Sequence, residues 1–149
     1  MNPDPPREVS PRRLAREWAL RALYQIEVGQ RDPQEVVEEA LEVAQLEPGI
    51  ARYMRQLVNG VLSHQATELD PLIEQFASGW TLDRMPVIDR NILRMALYEL
   101  RYQPEVPARV IVNEAVELAK RYSTAQSGRF VNGVLRTAAQ AIRDEASSE

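Results

Sequence analysis

Arginine and tyrosine side chains repeat at helical spacing near the amino terminus, where they could contact a polyanion. At about 100° per residue, Arg13, Arg16 and Tyr24 fall on one side of a helix, with Arg12 at its edge. Guanidinium groups can grip phosphates, and a tyrosine ring can stack on an unpaired base. Cations near a helix N-terminus oppose the helix dipole, so an external anion would explain their placement. The spacing also fits a solvated helix face with Tyr24 packed on a neighbouring helix.

Side chains that could support catalysis or hold a metal are sparse. His64 is the only histidine and there is no cysteine, which excludes disulfides, thiolate metal sites and a cysteine nucleophile. The acidic residues show no calcium-loop spacing. Gly128 and Gly133 lack the lysine and Ser/Thr that would follow in a phosphate loop. We therefore expect a binding protein and not an enzyme, without cofactor or metal, and we expect His64 at the surface.

The charge balance limits any nucleic-acid contact to a local patch. The net charge is −4, so the molecule as a whole is not basic. Lys120 is the only lysine, and the other basic residues are all arginine. This bias fits phosphate and base contacts, and it equally fits a GC-rich or thermophilic source. Met1 to Pro11 contain no apolar run and no segment is apolar for long enough to cross a membrane, so we expect a cytoplasmic protein.

Apolar residues recur at helical spacing in seven segments with recognisable ends. Ser10–Pro11 and the Asp32-Pro33-Gln34-Glu35 capping box mark helix starts, and Gly29 ends the first helix. The predicted helices cover about 11–28, 33–44, 48–62, 67–77, 86–100, 110–122 and 130–142. A polar loop or ragged helix start is expected over 123–128.

These segments predict an all-α fold, because no stretch alternates like a strand. We expect a single domain over 1–149, formed by two packed sub-bundles at about 10–78 and 80–145 that meet at Gly79-Trp80. Residues 1–9 and 144–149 are expected to be flexible tails.

Four motifs in order resemble the NusB family. They are the arginine-rich opening Arg12–Glu17 with Ala22-Leu23-Tyr24, the long stretch Trp80–Leu100, the pair Val106-Pro107 with Val112–Lys120, and Phe130–Leu135. The resemblance covers about Arg12 to Ile142, which is nearly the whole chain.

The resemblance implies an all-α fold of two helical bundles and the function of a transcription antitermination factor. Members of this family bind the boxA element of ribosomal RNA leaders together with a small-subunit ribosomal protein, also called NusE. That pair joins NusA, NusG and RNA polymerase and suppresses premature termination, and no reaction is catalysed.

The resemblance also implies site residues. The RNA-binding positions would be Arg12, Arg13, Arg16, Tyr24, Tyr122, Gln126, Arg129 and Phe130. Asp83 and Asp89 would face the ribosomal protein. The chain departs from the family pattern at Leu14, where a third consecutive arginine is common, and at Gln126, which is often acidic. The missing arginine at Leu14 should weaken RNA binding, and the missing acid at Gln126 should strengthen it.

Several of these residues have a plainer explanation. Tyr122 and Phe130 could belong to the core beside the apolar stripe of the last helix. We expect Asn132 and Gly133 to be structural. The Asn132 amide would satisfy a neighbouring backbone group, and Gly133 would lie where two helices approach closely. Glu99 falls on the apolar side of its helix, and a buried carboxylate needs partners, so we expect it to be a structural hydrogen-bond acceptor.

Two rival functions follow from the same residues. One is a helical adaptor or homodimer without RNA contact, since some members of the family are thought to dimerise and hide the RNA face. The other is the RNA-binding domain of an RNA cytosine methyltransferase. The second needs a downstream catalytic domain, and we do not expect one because the sequence ends at Glu149.

Overall fold

The computed structural model describes residues 11–147, and the side chains of residues 11–144. Its helices are α1 Pro11–Val28, α2 Pro33–Ala44, α3 Pro48–His64, α4 Asp70–Phe76, α5 Val87–Tyr102, α6 Ala108–Tyr122 and α7 Ala125–Ser147. The described part of the chain contains no strand, which confirms the predicted all-α fold. The Ser10 cap, the 1–9 tail and residues 148–149 lie outside the described residues. None of the described helices is long and apolar enough to cross a bilayer.

Side-chain caps begin two of the helices. Asp32 Oδ2 accepts a hydrogen bond from the Glu35 N–H at 3.0 Å, as the capping box predicts, and Pro33 follows as the first helical residue. Thr124 Oγ1 accepts from the Ser127 N–H at 2.9 Å. Because of this second cap, α7 begins at Ala125, earlier than the apolar stripe alone predicts.

The connection between α3 and α4 differs from the predicted break. The chain stays helical after His64 and passes through a π-helical turn, Gln65–Leu69, in which the Asp70 N–H reaches the Gln65 carbonyl. Pro71 supplies the reason. A proline ring clashes with the carbonyl four residues earlier in an α-helix, and the wider π turn relieves that clash.

Helix α5 is the centre of the molecule. All residues from 91 to 100 are buried, and α5 packs against α1, α3, α4, α6 and α7. The contact with α3 requires a glycine, because a Cβ on Gly60 would overlap the ring of Tyr98. His64 lies at the same contact, with its ring 4.5 Å from that of Tyr102 and Nδ1 at 2.8 Å from the Gly60 carbonyl. It is therefore partly buried and not a simple surface residue.

Ion pairs join α5 to elements on the other side of Gly79. Arg94 is buried and bonds both Asp70 of α4, at 2.7 Å, and Glu27 of α1, at 2.8 Å. Arg90 donates to Glu27 at 2.7 Å and to the Leu82 carbonyl at 2.9 Å. The division into two sub-bundles stays a prediction, and the bonds to Asp70 and Glu27 cross it.

The carboxyl-terminal helix is longer than predicted. A tail was expected after Arg143, but α7 continues to Ser147. Arg143 donates to the Leu100 carbonyl at 3.0 Å and to the Val106 carbonyl at 2.9 Å. These bonds hold the end of α7 against the connection between α5 and α6.

Candidate nucleic-acid interface

The first two candidate arginines lie on the outside of α1. Arg12 is exposed, and its guanidinium lies 4.9 Å from the centre of the Tyr53 ring. The Arg13 side chain is 37% exposed and forms a two-pronged ion pair with Glu114 of α6, at 2.7 and 2.8 Å. The hydrogen bond to Glu114 raises the pKa of Arg13 despite its partial burial. A phosphate that reaches Arg13 must therefore compete with Glu114.

Arg16 does not share this outer surface, and the prediction that it faces outward is wrong. The residue is 3% exposed, and its guanidinium forms two hydrogen bonds with Glu99 of α5, at 2.9 and 2.7 Å. The Tyr53 hydroxyl donates to the same carboxylate, which confirms Glu99 as a structural acceptor. Burial disfavours the charged form of Arg16, but the bonds and the charge of Glu99 outweigh burial and raise its pKa. Burial and the charge of Glu99 also raise the pKa of Tyr53.

The packing of α1 explains the error. The helix contacts α2, α3 and α5, so neighbours cover more of its circumference than one apolar stripe implies. Leu20, four residues after Arg16 and therefore on the same side of the helix, is buried as well. A wheel drawn for a helix with a single buried face places both residues in solvent, whereas α1 is enclosed on several sides.

Two arginines that the sequence analysis missed lie where side chains of α1 and α6 meet. Arg21 is exposed, and its guanidinium lies 4.9 Å from the Trp18 ring centre and 5.8 Å from that of Tyr122. Arg121 lies 5.6 Å from the same tyrosine ring and pairs with Glu17 at 2.8 Å. A usable signal was present, because Arg121 and Tyr122 are adjacent in the sequence. Two cations thus flank a partly exposed ring.

Tyr24 extends this surface along α1. Its side chain is 43% exposed, so the predicted outward position is confirmed. Tyr122 is partly buried, with part of its surface open to solvent. The described surface therefore offers two aromatic rings near the arginines of α1 and α6.

A cavity of about 700 Å³ opens at the start of α7. Gln126 and Arg129 are exposed on its wall, and Phe130 packs edge-on against Trp80 with 5.6 Å between ring centres. The structure thus brings together three of the predicted RNA-side residues beside one aromatic pair. The Lys120 stem crosses Gly128 so closely that a Cβ there would lie 2.9 Å from Lys120 Cγ.

The two acids predicted to face a protein partner lie in different environments. Asp83 is exposed in the 3-10 turn Leu82–Arg84, as a contact residue must be. Asp89 is 3% exposed, and its Oδ2 accepts a hydrogen bond from Ser127 Oγ at 2.9 Å. The expectation that Asp89 faces outward is therefore wrong, because the side chain ties α5 to the first turn of α7.

Asn132 and Gly133 also differ from their predicted structural roles. Gly133 is exposed, and a Cβ built there would meet no atom within 4 Å, so it marks no close approach of helices. Asn132 forms no side-chain hydrogen bond with residues 11–147. Both residues line a second surface groove, between α6 and α7.

The described residues form seven α-helices with the buried helix α5 at their centre, and guanidiniums and tyrosines lie together on one outer surface. These features define an all-α protein with an arginine- and tyrosine-rich outer surface. Residues 13–140 match the model of the NusB family. The chain belongs to the NusB family.

Relatives of known name and structure agree with this family. The transcription antitermination protein NusB of Myxococcus xanthus is 44% identical over 135 residues, which cover 88% of this chain and 96% of the relative. The transcription antitermination protein NusB of Bacillus subtilis is 46% identical, and the match covers 83% of this chain and 91% of the relative. T. maritima NusB superposes with a TM-score of 0.81 at 36% identity, with 88% and 92% covered. A structure of antitermination factors NusB and NusE in complex with dsRNA superposes at 0.80 and 28% identity, with 88% and 97% covered.

Proposed function

We propose that this protein is an antitermination factor that binds boxA-type single-stranded RNA of ribosomal RNA leaders together with the ribosomal protein NusE. In a complex with NusA, NusG and RNA polymerase in the cytoplasm, it would suppress premature termination without catalysing a reaction. The observation that carries the proposal is the placement of Arg21 and Arg121 around the partly exposed ring of Tyr122. Cations for phosphates beside a ring for an unpaired base are the two components that single-stranded RNA requires.

The proposed RNA surface contains most of the predicted residues and two new ones. It consists of Arg12, Arg13, Arg21 and Tyr24 on α1, Arg121 and Tyr122 on α6, and Gln126, Arg129 and Phe130 on α7. Arg16 acts beneath this surface, where its bond to Glu99 holds α1 in place. The membership in the NusB family and the NusB–NusE–dsRNA relative support the assignment.

Salt dependence of RNA binding tests the surface directly. Arg12 and Arg21 have no carboxylate partner among the described residues, so their replacement leaves no buried acid unpaired. Arg12→Gln/Arg21→Gln should weaken binding of a boxA-type RNA and lower the log–log salt slope by about 1.4, at roughly 0.7 per phosphate contact. Arg31→Gln/Arg55→Gln removes the same charge on the α2–α3 side and should leave the slope unchanged. Equal slopes for the two variants would contradict the proposed surface.

The partner contact is tested with Asp83 alone, because Asp89 is buried. Asp83→Lys reverses an exposed charge opposite a basic ribosomal protein, so NusE binding should weaken while the melting temperature stays constant. Wild-type protein should bind the RNA more tightly when NusE is present, since two partial surfaces then share one RNA. A homodimer in gel filtration that binds neither RNA nor NusE would instead support the adaptor function.

A further inference from the structure

A groove of about 790 Å³ runs between α6 and α7, outside the surface assigned to RNA so far. Its lining contains two charged side chains, Arg109 and Arg136, and no carboxylate. Both arginines are exposed, and neither forms an ion pair or a hydrogen bond within residues 11–147. In a protein of net charge −4, a groove whose only charges are two unpaired guanidiniums is a local anion-attracting site.

Many of the other arginines are already held by an acid of the protein. Eight of them are ion-paired with a glutamate or aspartate of the chain. An anion in the groove would therefore find two cations that no acid of the protein must first release. The amides of Asn113, Asn132 and Gln140 add hydrogen-bond donors to the same lining.

The groove continues the proposed RNA surface along one face of α7. Arg129, on the wall of the first cavity, and Arg136, in the groove, are seven residues apart, which is two turns and about 10 Å along the helix axis. Asn132 and Gly133 lie between them on the same face. Since a Cβ on Gly133 would meet no atom within 4 Å, no neighbouring side chain covers α7 at that position.

We propose that this groove binds the phosphate backbone of RNA nucleotides that extend beyond the element held by the α1–α6–α7 surface. The inference rests on the proposed function and adds a second contact region to it. The lining offers guanidiniums and amides but no aromatic ring, so it holds phosphates and does not stack bases. Contacts of this kind position a strand and add affinity without reading its sequence.

The test compares RNAs of two lengths. A boxA-type RNA is measured alone and with an oligouridine extension at its 5′ end or at its 3′ end, by fluorescence anisotropy at several salt concentrations. The variants are Arg109→Gln/Arg136→Gln, its charge-preserving counterpart Arg109→Lys/Arg136→Lys, and the control Arg31→Gln/Arg55→Gln, with circular dichroism melting to verify the fold.

For wild type, one of the extensions should tighten binding, and the gain should disappear in Arg109→Gln/Arg136→Gln while the short RNA binds as before. The salt slope for the extended RNA should fall by about 1.4 in that variant, and the lysine variant should keep most of the gain. If wild type binds the short RNA but the extended RNAs bind the glutamine variant as tightly as the control, the groove assignment is wrong and the proposed function stands. If wild type fails to bind the short RNA, the proposed function itself fails.

Discussion

The ion pair between Arg16 and Glu99 contributes to the stability of the fold, because it lies in the interior between α1 and α5. Removing one partner of a buried pair leaves the other charge without compensation, which costs about 3–5 kcal/mol. Arg16→Ala should therefore lower the free energy of unfolding by that amount, measured by urea denaturation. Arg12→Ala removes an exposed guanidinium four residues earlier on α1. This variant should change the free energy of unfolding by less than about 1 kcal/mol. Similar values for both variants would mean that Arg16 is not paired in solution.

Glu114 should act as a competitor of RNA. It holds Arg13 in a two-pronged ion pair on the proposed surface, so a phosphate must displace it. Glu114→Gln should release Arg13 and remove one repelling charge, and RNA affinity should rise, most clearly at low salt. The measurement is the dissociation constant of a boxA-type RNA at two salt concentrations. Glu39→Gln makes the same charge change on α2, next to Arg31, and an equal gain there would show that only net charge matters.

Individual residues of the site were predictable to the extent that their exposure follows from one helix alone. Tyr24 was placed correctly because the helices that bury Arg16 do not cover α1 at Tyr24, whose side chain is 43% exposed. Arg16 and Asp89 were not, since each is buried by a second helix that brings its partner, Glu99 or Ser127, from far away in the sequence. The sequence pattern of each helix alone therefore did not distinguish them from charged residues that face solvent.

Among the helices, the contact between α3 and α5 depends on one missing side chain. Gly60→Ala would place a methyl group into the ring of Tyr98, and such overpacking costs about 1–3 kcal/mol. We expect a correspondingly lower free energy of unfolding in urea. Gly133→Ala, on the open surface of α7, should stabilise the protein by about 0.5–1 kcal/mol, because alanine favours the helix and meets no neighbour. A stability gain for both variants would contradict the close packing of α3 on α5.

Helix identity and most helix starts were predictable because caps and apolar stripes are local signals. The Asp32 cap and the prolines at the starts of α2 and α3 are examples. The π turn before Pro71 was not predictable, since its residues carry ordinary helical side chains and the chain there resembles a plain interruption. The extension of α7 to Ser147 depends on bonds from Arg143 to distant carbonyls, which periodicity does not reveal.

For the whole molecule, the ion pairs of Glu27 predict how stability responds to acid. Burial raises the pKa of Glu27, but hydrogen bonds from Arg90 and Arg94 outweigh burial and hold the pKa below its ordinary value. The stabilisation is present above the unfolded-state pKa of a glutamate, about 4.3, and is lost as the pH falls through the lower folded-state pKa. Glu27→Gln should therefore be less stable than wild type at neutral pH, and the difference should shrink in acid. Urea unfolding of both proteins, from neutral to acid pH, measures this difference in the free energy of unfolding.

A matched control separates this effect from a general change in charge. The pKa of Glu39 is also lowered, by its hydrogen bond to Arg31, but both side chains are largely exposed. Glu39→Gln should therefore change the free energy of unfolding little at any pH. If Glu27→Gln and Glu39→Gln lost the same amount of stability at every pH, the Glu27 ion pairs would contribute nothing beyond the general change in charge.

The position of Lys120 makes the protein convenient for chemical labelling. It is the only lysine of the chain, its side chain is 54% exposed, and its stem crosses the first turn of α7 next to the cavity that holds Gln126 and Phe130. An amine-reactive dye or crosslinker has one ε-amine to attack, besides the amino terminus. A single acylation reaction, followed by mass spectrometry, can therefore mark this edge of the molecule and report when a ligand covers it.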